Sequence, residues 1–229
     1  MMRLGIPVIE LKQDNPKGIF FLIHGHFGNK SLNQFGGLAE RIHQLGFYVV
    51  TIDAYKHGER LAEPYITNDA VETTYEMVSV IDQTIKDIMF LYTNHYSKIA
   101  SNVSVMGISM GGHISFLLNQ FLRLEFCIPI IGSPNLLLHY QAKKSDILKE
   151  KITELEKKLE ELTLKPNDFK PKYAFVLEGE KDTVVSYLPA KALIESLDND
   201  AYVYKGYPVG HELSEMMKED IITFVRSRL

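Results

Sequence analysis

The chain has 229 residues, enough for one sizeable core, and its 45% hydrophobic and 24% charged residues are ordinary for a globular α/β domain. A formal net charge of -4 with no basic block excludes a nucleic-acid backbone as the main partner. No apolar run reaches the roughly 20 residues needed to cross a bilayer, which excludes stable membrane insertion.

The opening MMRLGIPVIELKQDNPKG is broken by Pro7, Asp14 and Pro16 and does not read as a signal peptide, so a cytoplasmic location is expected. The single cysteine, Cys127, lies in the apolar run FCIPIIG and reads as a small core side chain rather than a reactive thiol.

In chain order, a first strand is expected over Ile6–Leu11. GIFFLIH, residues 18–24, is almost wholly apolar, as a strand buried on both faces should be. Ser31 and Gln34 have capping-box spacing, and Phe35, Leu38, Ile42 and Leu45 then form one helical stripe ended by Gly46. FYVVTI, residues 47–52, is the next strand. Val71, Tyr75, Val78, Ile81, Ile85, Ile88 and Met89 recur at three- and four-residue spacings and predict a helix over about 69–92. Strands follow at 103–106, 126–131, 173–177 and 201–204, with helices at 111–121, 184–197 and 212–225. This alternation predicts a mostly parallel sheet with helices on both faces, in a single domain spanning 1–229.

The rhythm breaks between the strands ending near Ile131 and starting near Tyr173. Residues 134–170 form an insertion in which Leu148, Ile152, Leu155, Leu159 and Leu162 make one apolar stripe among lysines and glutamates. A helix capped by Asp146 or Ser145 and stopped before Pro166 is expected, either as a lid over the sheet edge or as a homodimer contact.

Ligands of such sheets bind at the carboxyl ends of the strands, and the polar residues needing explanation fall there. VMGISMGGH, residues 105–113, has G-x-S-x-G spacing: Gly107 and Gly111 allow the sharp strand-to-helix turn that would expose Ser109 as a nucleophile. A serine needs a base, and the base an orienting acid. Asp182 in LEGEKDTV and His211 in GYPVGHE follow in the required order at later strand ends, with Glu180 as the fallback acid. The Met110 N–H is one expected oxyanion donor. The second belongs to the HGHFGNK loop, whose Gly25 and Gly28 let the backbone bend, and is the N–H of Phe27 or of His26.

A pocket is expected from Phe27, Met110, Leu136, Leu137 and Leu138, with Tyr55 and His139 touching substrate. His24, Asp53 and His57 are read as organising the loops. No metal is expected, because a His-x-His pair with no acidic neighbour fixes too few ligands.

These motifs taken together (HGHFG, D-x-x-x-H-G-x-R over Asp53, His57, Gly58 and Arg60, GISMGG, GEKD and GH) resemble the α/β-hydrolases over nearly the whole chain. The similarity is to the esterase and dienelactone-hydrolase-like branch that also relates to prolyl-oligopeptidase catalytic domains. It implies Ser109 as nucleophile, Asp182 as acid, His211 as base, hydrolysis of a small-molecule ester through an acyl-enzyme without cofactor, and a cap after the sixth strand. A thioester or small amide would use the same machinery, and a non-catalytic binding protein is the alternative of a different class. The acid loop departs from the pattern, since TVV leads to Ser186 where a proline often stands. The short N-terminus suggests seven strands rather than eight.

Overall fold

A computed structural model describes residues 1–61, 70–141 and 149–229; the side chains of 70, 71, 139–141 and 149–153 are outside the description. Its strands are β1 (Met2–Arg3), β2 (Ile6–Leu11), β3 (Ile19–Ile23), β4 (Tyr48–Ile52), β5 (Val103–Ile108), β6 (Leu124–Ile130), β7 (Tyr173–Gly179) and β8 (Tyr202–Tyr207). They form one sheet in the order β1-β2-β4-β3-β5-β6-β7-β8. β1 and β4 pair antiparallel with β2, and all other pairs are parallel. Among the described residues the sheet therefore has eight strands, not seven. The additional strand is the two-residue β1, which turns back through Leu4 and Gly5, both with positive φ.

Every residue of β3 and β4 is buried, as strands covered on both faces must be. Alternate residues feed two cores. Phe21, Val50 and Val105 face one core with Ile81, Ile114 and Leu117, which belong to α2 (Ala70–Asn94) and α3 (Met110–Leu117). Phe20, Val49 and Met106 face the other with Leu38 and Ile221, on α1 (Leu38–Gln44) and α7 (Glu215–Arg226).

The stripe after Ser31 is not one helix. Leu32–Phe35 is a 3₁₀ turn whose Ser31 side chain makes no capping bond, and Gly36 and Gly37, both left-handed, separate it from α1. Two glycines at positive φ break helical continuity, and the expected capping box does not form.

The insertion carries α4 (Leu136–Gln141) and α5 (Lys149–Glu161). Leu155 and Leu159 are buried in the chain's own core, and the Lys158 ammonium lies over the Tyr75 ring. The Leu164 N–H donates to the Pro134 carbonyl at 2.9 Å and closes the insertion's neck. Phe169 is buried between the rings of Phe116 and Tyr202 and anchors the return to β7. The expected caps Ser145 and Asp146, and Leu148, lie outside the described residues, as does the Ile152 side chain. No helix among the described residues is long and apolar enough to cross a membrane.

Candidate active site

β5 ends at Ile108, and α3 starts at Met110, so the turn between them is the single residue Ser109, at φ 55° and ψ -112°. A non-glycine residue in that region is strained and persists only where its surroundings impose it. Glycines supply the room. A Cβ on Gly107 would overlap the Gly111 carbonyl, and one on Gly111 would overlap the Ile23 carbonyl of β3. The Ser109 N–H is held by the Ile130 carbonyl at 2.9 Å. The half-buried Ser109 thus sits at the carboxyl edge of the central strands.

The next two elements bring its partners. β7 and β8 run parallel, and past their ends the two loops stay laced together: Glu180 N–H donates to Tyr207 O at 2.8 Å and Lys181 N–H to Val209 O at 3.0 Å. Asp182 then turns its fully buried carboxylate inward. One oxygen, Oδ1, accepts from the N–H groups of Val184 (2.7 Å) and Val185 (3.0 Å), and the other, Oδ2, lies 2.6 Å from His211 Nδ1. This turn delays the following helix, α6 (Leu188–Ser196), which starts four residues later than the apolar spacing predicts. His211 Nε2 lies 2.8 Å from Ser109 Oγ. A carboxylate can only accept, so Nδ1 carries the hydrogen and Nε2 is left as an acceptor facing the Ser109 hydroxyl.

The loop after β3 closes the other side. A Cβ on Gly25 would stand 3.5 Å from the Ser109 Cβ, so this backbone runs directly against the Ser109 turn. Phe27 has φ 63°, and the Gly28 N–H, not that of Phe27, closes the turn onto Gly25 O at 3.0 Å. Met110 is the first residue of α3, so its N–H has no intrahelical acceptor. The His26 ring lies tilted against that of Phe27, with centroids 3.8 Å apart and 57° between the planes.

The three residues read as loop organisers are all buried. His24 Nδ1–H donates to Gly25 O at 2.7 Å and its Nε2 accepts from Ala54 N–H at 3.0 Å, tying the β3 loop to the β4 loop. Burial, with the neighbouring His57 adding to it, lowers its pKa to about 4 against the pull of Gly25 O. His26 is likewise lowered to about 4 by burial and by His57 and His24. His57 pairs through Nδ1 with Tyr55 O at 2.9 Å, and burial lowers its pKa too. Asp53 accepts from Lys30 N–H (2.7 Å), Lys30 Nζ (2.8 Å) and Glu59 N–H (3.0 Å). Burial would raise its pKa, but these donors outweigh it and hold it low. Lys30 was not evident from the sequence: it carries no periodic signal, and its role comes from a lysine buried beside an acid from another strand. Among the described residues no group of three or more acids, histidines or cysteines could hold a metal ion.

The pocket expectations divide. Tyr55 is half-buried against the first core, with the Arg60 guanidinium over its ring. Leu137 is also half-buried there, whereas Leu138 is half exposed. Leu136 is a correction, since it has no exposed surface and belongs to the core. The His139 side chain lies outside the described residues. Phe27 is 71% exposed. His113 lies one helical turn past Ser109 with Nδ1 against the Ser133 backbone, and Cys127 is a fully buried core side chain whose thiol pKa burial pushes up to about 12.

Sheet order, strand-end loops and the sharp turn at Ser109 together define an α/β-hydrolase. Residues 8–212 match the model of the dienelactone hydrolase family, and the chain belongs to that family of hydrolases. No curated protein sequence matches it. Among solved structures it is similar to TT1662 from Thermus thermophilus, at 18% identity and TM-score 0.77, covering 97% of this chain and 93% of the other. It is also similar to Est1E from Butyrivibrio proteoclasticus, solved with ferulic acid, at 14% identity and TM-score 0.67, covering 98% and 96%. Acetyl xylan esterase 1 from a Thermoanaerobacterium species aligns at 18% identity and TM-score 0.70, covering 97% and 78%.

Proposed function

We propose that the chain is a serine esterase acting on small carboxylic esters through Ser109, His211 and Asp182. The observation that carries this is the unbroken line of short contacts, 2.8 Å from Ser109 Oγ to His211 Nε2 and 2.6 Å from His211 Nδ1 to Asp182 Oδ2. His211 takes the serine proton as Oγ attacks the ester carbonyl, and Asp182 fixes the imidazole and stabilises the imidazolium that forms. The Met110 and Phe27 N–H groups serve the developing oxyanion, with His26 as the alternative to Phe27. His211 then protonates the leaving alcohol, and a water repeats the sequence to release the acid and restore Ser109.

Tyr55 and Leu137 are assigned to the substrate pocket, and His24, Asp53 and His57 hold the two loops that frame it. Residues 134–170 are assigned as a cap, in keeping with their position between β6 and β7. The membership of a hydrolase family and the likeness of the fold to esterases support an ester substrate. A fluorophosphonate probe should label the protein stoichiometrically and fail to label Ser109→Ala. Equal labelling of both would refute Ser109 as the nucleophile.

A further inference from the structure

One buried acid has no part in that mechanism. Glu178 is the penultimate residue of β7 and, by the alternation of a strand, lies on the face of Ala174 and Val176, toward the first core. It has no exposed surface, and both carboxyl oxygens are buried without a hydrogen-bond partner. Asp182 faces it from the loop beyond its own strand, and the Gly132 N–H faces it from the loop after β6. From β8 comes Tyr204, whose hydroxyl is also buried without a partner and whose other acidic neighbours are Glu180, Tyr187 and Glu195. None of these groups is a cation.

A carboxylate in such a place would have neither a counter-charge nor a full set of donors, and would stand beside a second carboxylate that His211 requires. Keeping the proton removes the conflict. Burial first, then the charge of Asp182, pushes the Glu178 pKa well above the usual carboxyl range, against the smaller effect of the Gly132 N–H.

We propose that Glu178 is a positioning residue for the acid–base pair: an uncharged carboxylic acid that fills the space beside the Asp182 loop and leaves the Asp182 charge to His211 alone. The assignment rests on the triad reading. At alkaline pH Glu178 loses its proton, two carboxylates then share one buried corner, and their repulsion loosens the contact between Asp182 and His211. Glutamine preserves shape and neutrality, whereas alanine leaves a void.

The test pairs infrared spectroscopy with the pH dependence of ester hydrolysis, using a short p-nitrophenyl ester and the wild-type, Glu178→Gln and Glu178→Ala proteins. A buried carboxylic-acid carbonyl band should persist at neutral pH in the wild type and vanish in Glu178→Gln. At neutral pH Glu178→Gln should stay within about twofold of wild-type kcat, while Glu178→Ala loses about tenfold or more with KM little changed. As the pH is raised from neutral into the alkaline range, the wild-type rate should fall and that of Glu178→Gln should hold level. Absence of the band, superimposable pH profiles, or a glutamine variant as damaged as the alanine one would overturn the proposal. The infrared band does not depend on turnover, so failure of the triad reading, seen as undiminished hydrolysis by Ser109→Ala, is a separate result.

Discussion

Gly179, the last residue of β7, packs so tightly against Gly210 that a Cβ on the first would overlap the carbonyl of the second. That close approach brings the Asp182 loop to the His211 loop and fixes the 2.6 Å contact between them. Gly179→Ala should therefore push the loops apart and lower kcat/KM by about a hundredfold, with a lower melting temperature. Steady-state kinetics and thermal unfolding check both effects, and a variant with wild-type kinetics would remove the glycine pair from the account.

Asp182 is expected to fix the imidazole tautomer. Asp182→Asn can donate as well as accept, so it can stabilise the wrong tautomer and should lower kcat by about four orders of magnitude. The loop bonds from Val184 and Val185 can still be accepted by the amide oxygen, and a folded variant is expected by circular dichroism.

Lys30 and Asp53 form a buried pair, with side chains 10% and 0% exposed. Lys30→Met would strand the carboxylate with backbone donors alone, at a cost of about 3 kcal/mol in unfolding free energy. Denaturant titration measures it. Because Lys30 ends the HGHFGNK loop, kcat should fall as well as stability.

Acid should weaken the fold through His24 and His26. Both have folded pKa values lowered to about 4, below the ordinary value for histidine. Between about pH 6.5 and 4 the unfolded chain binds protons that the folded chain refuses, so stability is full above that window and falls as pH decreases through it. Denaturant melts across the window should show this slope, and His24→Gln should flatten it.

Much of this was legible in the sequence because it is local. GIFFLIH and FYVVTI announce buried strands through uninterrupted apolar character, and GISMGG announces its turn through glycines that only a close approach requires. Asp182 and His211 could be ordered along the chain because each follows a strand. What was not legible depends on distant residues meeting. β1 is two residues long and exists only through pairing with β2. The stripe through Phe35 and Leu38 read as one helix because periodicity does not register Gly36 and Gly37 turning left-handed in the middle. Leu136 read as pocket because an apolar residue after a strand looks the same whether it lines a cavity or is sealed in the core. Glu178 is the intermediate case: an acid closing the apolar run YAFVL is visible in the sequence, but its lack of partners belongs to the fold.

In the proposed reaction Ser109 attacks an ester carbonyl with His211 as base. The most direct measurement is kcat/KM for a short-chain p-nitrophenyl ester with wild-type protein and with Ser109→Ala, folding of both being verified by circular dichroism. Hydrolysis by the wild type and a loss of about three or more orders of magnitude in the variant are expected. Equal rates from the two proteins would contradict it.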